Sequence, residues 1–285
     1  MINLPDLYSE SLYNDFKDLA QKNGYECYTD LADNIIIHKS GRGKRVLIPF
    51  IADKEELLIT SVKNKKAEFV SNLDIKYSDN TEIYSGINKV GKIIKEEEKH
   101  IELFKENIVK KGQKLYVVKS IECKDNKIYS RNIKADISVY LAKNLILENL
   151  NTDKDIYFTL SFSRKSAKVL VKALNPEYIF SISYDKPCKN FEISKGVGIS
   201  FKENGFIISD EVLSLYKAAS SDVLHQDYFG KSDSLTEYYY ISKKDVKVGS
   251  LVLPIKYLDE PCEIATVDDI NSAFSIYKNL LTNEV

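Results

Sequence analysis

The chain has 285 residues, 44% of them hydrophobic and 29% charged, which is ordinary for a soluble globular protein able to bury one large or two smaller cores. Lys plus Arg number 41 against 42 for Asp plus Glu, and the resulting net charge of -1 argues against nucleic acid or a membrane surface as a partner. The longest apolar runs, such as 46–52, fall far short of the roughly 20 residues that span a bilayer.

Residues 1–10 carry Asp6 and Glu10 and no apolar core of a leader, so no secretory signal is expected. Leu7, Leu12, Phe16 and Leu19 recur at helical spacing over 5–22, and Gly24 supplies a stop. Strands are predicted at 25–29, 34–38 and 45–52, with Gly41-Arg42-Gly43 as a hairpin turn, and a further strand at 57–62. The runs 46–52 and 57–62 are nearly continuous, as in strands buried on both faces of an α/β sheet.

From 63 to 133 the texture changes to short lysine-rich strands at 67–70, 83–90, 115–123 and 127–133, around one charged helical stretch at 96–107. This reads as a small β-rich domain, 63–132, inserted into an α/β domain formed by 1–62 plus 133–285. Alternation then resumes: an amphipathic helix at 139–150, a strand at 155–162, a helix at 166–174 and a strand at 178–184. A hairpin over 198–208 turns at Asn204-Gly205, and a helix over 210–224 is capped by Asp210. A buried strand at 251–258 and a helix at 268–281 close the chain.

Several segments carry a family resemblance. Residues 253–263 read L-P-I-K-Y-L-D-E-P-C-E, 46–55 read V-L-I-P-F-I-A-D-K-E, and 157–163 read Y-F-T-L-S-F-S. Asp33-Asn34 precedes three isoleucines, Lys134-Ala135-Asp136 opens the second half, and Lys195-Gly196-Val197-Gly198 and Ser232-Asp233 follow later. Together they resemble the tetrahedral aminopeptidases, di-metal metallopeptidases that include glutamyl aminopeptidase and endoglucanase-like members. The resemblance implies a three-layer zinc-peptidase-like α/β domain with an inserted small β-barrel-like domain. It also implies two zinc or cobalt ions, hydrolysis of peptides from the N-terminus, and oligomers built through the insert.

What the resemblance assigns to individual positions departs from that chemistry. Ile51 stands at the first metal-ligand His, and Asp53 keeps the Asp that orients it. Asp136 matches the metal-bridging Asp. Phe162 and Ser163 stand at the Glu pair of general base and ligand. Ser183 replaces an Asp ligand, with Asp185 two residues on, and Asp259 replaces the last ligand His. Two-metal hydrolysis needs a bridging carboxylate and several N or O ligands per ion, and its base must accept a proton from metal-bound water. Only Asp136 and Asp259 remain as candidate ligands, enough for a single divalent cation at most. A non-catalytic binding or assembly protein is therefore expected, a homo-oligomer or the companion of a related peptidase subunit. The alternative is a hydrolase of altered chemistry, with Asp53, Asp136, Asp233, Asp259 and Glu260 clustered on one hard cation such as Mg²⁺ or Mn²⁺.

Other signals yield to plainer readings. Gly41-Arg42-Gly43-Lys44 lacks phosphate-loop spacing, and Gly196-x-Gly198 precedes a strand. His38, His100 and His225 fall at no ligand motif and read as surface or helix-end residues, His100 on the 96–107 helix. Tyr238-Tyr239-Tyr240 reads as strand residues buried through their ring faces, with an aromatic contact surface as the alternative. Cys27, Cys123, Cys188 and Cys262 are scattered without a C-x-x-C pair, as expected of buried thiols in a cytoplasmic chain.

Overall fold

The structure is a computed structural model and describes residues 12–283 other than 54, 87, 95–98, 118, 120 and 244. Helix α1 (Leu12–Lys22) buries Leu12, Phe16 and Ala20 along one stripe and ends at Gly24, whose φ of 76° is the left-handed conformation of a helix stop. The expected start of this helix, 5–11, lies outside the described residues. Next come β1 (Glu26–Thr29), β2 (Ile35–Lys39), β3 (Arg45–Ile51), β4 (Leu57–Lys63), β5 (Lys66–Ser71), β6 (Glu82–Ser85), β7 (Asn88–Ile93) and β8 (His100–Leu103). They are followed by β9 (Lys114–Val117), β10 (Glu122–Lys124), β11 (Lys127–Ser130) and helix α2 (Ile133–Leu147). Strand β12 (Asp155–Ser161), the short helices α3 (Arg164–Ala167) and α4 (Leu170–Leu174), and β13 (Tyr178–Asp185) continue the chain. The last third holds β14 (Val197–Glu203), β15 (Phe206–Ile207), α5 (Asp210–Ala219), β16 (His225–Gly230), α6 (Thr236–Ser242), β17 (Lys247–Pro254), β18 (Glu263–Thr266) and α7 (Val267–Thr282).

A nine-stranded sheet runs β1-β2-β12-β3-β13-β17-β14-β15, with β16 beside β14. Its centre is parallel, β12 with β3, β3 with β13 and β13 with β17, and those strands are buried on both faces as their apolar runs require. Neighbouring residues of β13 show the two layers of helices. The Phe180 ring meets Tyr216 of α5 at 5.6 Å, while Ser181 Oγ lies 3.2 Å from Thr236 Oγ1 of α6 on the opposite face. The sheet between helices makes the expected three-layer α/β domain. The second domain is a closed barrel, β4-β5-β8-β7-β6-β9, with its own core around Leu57, Ile83, Ile101 and Leu115. None of the described helices is long and apolar enough to cross a membrane.

Several expectations need correction. Strand β4 belongs to the barrel, not to the α/β sheet, so the barrel begins at Leu57 instead of 63. Its inward residues alternate, Leu57 and Ile59 buried and Leu58 exposed. Strands β10 and β11, expected within the insert, pair with β18 in a separate three-stranded sheet. The helix expected over 96–107 contains β8, where Ile101 and Leu103 alternate inward with Glu102 outward; residues 96–98 lie outside the described set. A lysine- and glutamate-rich sequence suggested a helix, yet the alternation in burial is that of a strand. His100 is accordingly on a strand, and His225 opens β16 instead of ending a helix.

Gly41-Arg42-Gly43 is not a hairpin turn, because β12 lies between β2 and β3. The loop passes so close to Asp153 and Lys154 that a Cβ at Gly41 would meet their carbonyl oxygens at 2.2 Å. Helix α2 starts six residues before the expected 139 and is buried nearly all round, so its sequence shows little amphipathic signal. Tyr238-Tyr239-Tyr240 lies on helix α6, with Tyr239 buried and Tyr240 exposed. Ser209, not Asp210, caps α5, accepting the Val212 amide. The thiols of Cys123, Cys188 and Cys262 are exposed and that of Cys27 half-buried; all four are free.

Candidate functional site

Ligands of open α/β sheets bind beyond the carboxyl ends of the parallel strands, and the charged centre of this chain lies there. Ile51 ends β3, and Asp53 follows it. Lys134 sits in the first turn of α2, and Arg164 opens α3 directly after β12. Tyr184 is near the end of β13, and Asp233 lies in the loop between β16 and α6. These residues, with Asn132 and Tyr239, line a cavity of about 30 Å³. That is room for about one water molecule.

Cations and carboxylates alternate around it. Lys134 Nζ donates to Asp259 Oδ1 at 2.9 Å and reaches Asp233 Oδ2 at 3.4 Å. Arg164 Nη2 lies 2.7 Å from Asp233 Oδ2, and its Nε 3.9 Å from Asp53 Oδ2. The other oxygen of Asp233 accepts the Tyr184 amide at 3.2 Å. Burial opposes the charge on Lys134, yet Asp233 and Asp259 outweigh it and hold the ammonium above its usual range. Burial dominates at Asp53 and raises its carboxyl, although Arg164 and Lys134 pull it down.

A second ion pair stands behind the first. Lys119 Nζ lies 3.1 Å from both oxygens of Asp136, with the two side chains 6% and 2% exposed, and also donates to the Asn132 carbonyl at 3.3 Å. Glu263 then fixes the frame: it accepts the Ile133 amide at the start of α2 at 2.6 Å and the Asp259 amide at 2.7 Å. Asn132 is left-handed at φ 48° and gives α2 no side-chain cap, so Glu263 supplies the missing acceptor. Burial pushes the Glu263 carboxyl up against the pull of those two amides.

The positions singled out from sequence separate into two groups. Ile51 and Asp53 line the cavity, and Asp259 meets it through Lys134. Asp136 is held by Lys119, and Asp259 by a different lysine, Lys134. Ser163 caps α3 by accepting the Ser166 amide, and Phe162 packs against the core. Ser183 is buried and donates to Glu203 Oε1 at 2.7 Å. Of the wider acidic cluster, Glu260 pairs with Lys76 at 2.8 Å. Lys119 and Arg164 were not legible as site residues. Arg164 lies just before the helix expected at 166–174 and in no motif, and Lys119 stands among many lysines.

This donor set does not fit two divalent ions. The carboxylates that would bind them already hold Lys119, Lys134 and Arg164, and a divalent ion about 6 Å from one such cation is repelled by roughly 5 kcal/mol at an effective dielectric near 20. Phe162 and Ser163 offer no group to accept a proton from a bound water. Among the described residues no three His, Cys, Asp or Glu side chains gather as a ligand group.

No family model and no curated protein matches the chain. Solved structures do match in fold. A Thermotoga maritima endoglucanase aligns with TM-score 0.78 and 17% identity over 95% of this chain and 91% of its own. A Desulfurococcus kamchatkensis aminopeptidase aligns at 0.81 with 13% identity over 96% and 89%. The Pyrococcus horikoshii TET1 peptidase, which can assemble into a tetrahedron or a large octahedral shell, aligns at 0.75 with 17% identity over 95% and 93%. The chain thus has the fold of the tetrahedral aminopeptidases and endoglucanase-like peptidases.

Proposed function

We propose that this chain is a non-hydrolytic relative of the di-metal aminopeptidases, in which an ion-pair centre stands where metal chemistry would be done. Its role is binding or assembly, as a homo-oligomer or alongside a related peptidase subunit. The observation that carries this reading is the Lys134 ammonium between Asp233 and Asp259, with Arg164 on Asp233. Assembly is supported by the shell-forming Pyrococcus horikoshii TET1 peptidase, which shares the fold over both domains.

The test pairs two measurements on the purified chain. Aminoacyl-chromophore hydrolysis with added Zn²⁺, Co²⁺ or Mn²⁺ should stay at background, and light scattering should give a mass above one chain. Metal-dependent turnover would refute the non-hydrolytic reading, and a monomer at micromolar concentration would refute homo-oligomerisation.

A further inference from the structure

We propose that strand β16 is an interface between two copies of this chain, paired antiparallel about a two-fold axis at Phe229. The inference rests on the homo-oligomer reading above and deepens it by naming the surface, which belongs to the α/β domain and not to the barrel.

Strand β16 pairs with β14 along its length, from His225 against Val197 to Gly230 against Glu203, and with no other described strand. It is therefore an edge of the main sheet. The Gly230 carbonyl accepts the Asn204 amide at 3.0 Å, which turns the backbone groups of Gly230 toward the β14 side. Alternation along the strand does the same for Tyr228 and Gln226, and it directs the backbone groups of Asp227 and Phe229 outward, where a further strand would meet them.

The side chains leave this edge open. Strand β16 contains no proline and no lysine, the residues that commonly guard an edge. Phe229 is 67% exposed and stacks on Phe201 of β14 with 5.1 Å between ring centres. Tyr228 takes the other face, where it is buried against Phe191 and donates to Asp185 at 2.7 Å. The charges at this edge are Asp227 and Lys231, both exposed, and among the described residues neither forms an ion pair.

Charge selects the partner and the register. A two-fold interface sets the same strand against itself in the opposite direction. With the axis at Phe229, Asp227 of each copy stands opposite Lys231 of the other, so two ion pairs form at once. An axis at Asp227 would place carboxylate against carboxylate, and one at Tyr228 would place Asp227 against Phe229. Opposite charges across neighbouring strands attract and like charges repel, which favours the first register. The two Phe201–Phe229 stacks then meet at the axis, an apolar centre flanked by ion pairs.

Light scattering of the full chain over a dilution series tests the proposal. The native chain should form a dimer or a multiple of dimers. Asp227→Lys and Lys231→Asp each bring like charges together at two places, and each should weaken association at least about tenfold. The double exchange, Asp227→Lys with Lys231→Asp, should return association to within about threefold of native, because it restores both pairs with their signs reversed. Should a variant not fold, hydrogen exchange of the native chain replaces it: the amides of Asp227 and Phe229 should be protected at high concentration and lose protection on dilution. Association unchanged by the single exchanges, a double exchange that restores nothing, or equal exchange at both concentrations overturns the proposal while the native chain remains an oligomer. A native monomer overturns both this interface and the homo-oligomer reading.

Discussion

Lys134 Nζ donates to Asp259 Oδ1 at 2.9 Å and so joins the first turn of α2 to the loop after β17. Asp259 has a positive φ of 66°, as does Tyr257 at 59°, and that bent loop is the segment whose sequence resembles a metal-ligand landmark. Glu263 holds the backbone of this loop, while the Asp259 side chain faces the Lys134 ammonium.

The pH dependence of stability should show the buried carboxyls. Burial raises Glu263, Asp53 and Asp269 above the usual carboxylate range. Their folded forms bind protons more tightly than the unfolded chain, so each loses stability as pH rises past the unfolded value and through the folded one. Asp155 runs the other way. Burial alone would raise it, but His38 and Arg45, each 2.7 Å away, bring it below its usual value. Its contribution is present above the unfolded value and is lost as pH falls through the folded one. Urea unfolding should therefore show greater stability at mildly acidic pH, about 5, than at neutral, and Glu263→Gln should flatten that rise.

The junction between barrel and α/β domain carries a buried pair. Arg131 Nε lies 3.1 Å from Glu55 Oε2, Arg131 Nη2 also donates to Glu55, and the guanidinium sits 4.2 Å from the centre of the Tyr77 ring. Arg131 is 7% exposed and Glu55 fully buried. Arg131→Met should destabilise the chain by about 3–5 kcal/mol in urea unfolding by stranding Glu55, and adding Glu55→Leu should return most of the loss.

An aspartate placed at Ser183 should not create a metal ligand. Glu203 is buried and accepts Ser183 at 2.7 Å, Thr236 at 2.9 Å and Ser232. Ser183→Asp replaces a donor with a second carboxylate in the same pocket. The expected cost is about 2–4 kcal/mol by urea unfolding, with no gain in zinc binding by calorimetry.

The central strands were readable because their chemistry is local: 45–52, 155–162 and 178–184 are apolar runs bounded by turn residues and lie in the main sheet, whereas the strand expected over 251–258 runs four residues earlier, as Lys247–Pro254. The barrel strand Leu57–Lys63 was misplaced because an apolar run does not say which of two sheets will bury it. Phe162, Ser163 and Ser183 were singled out through the family resemblance, and their contacts are a core, a helix cap and a hydroxyl network. The cations were not readable. Lys119 lies 17 residues from Asp136, and Lys134 lies 99 and 125 residues from Asp233 and Asp259, separations over which only the fold decides contact.

The central claim is that lysine and arginine charge occupies the place of metal charge. Equilibrium dialysis of the native chain against Zn²⁺ and Mn²⁺, followed by elemental analysis, tests it most directly. The account predicts metal content no higher than that of a protein without a site. Tight, near-stoichiometric divalent metal that is lost on Asp259→Asn would contradict it.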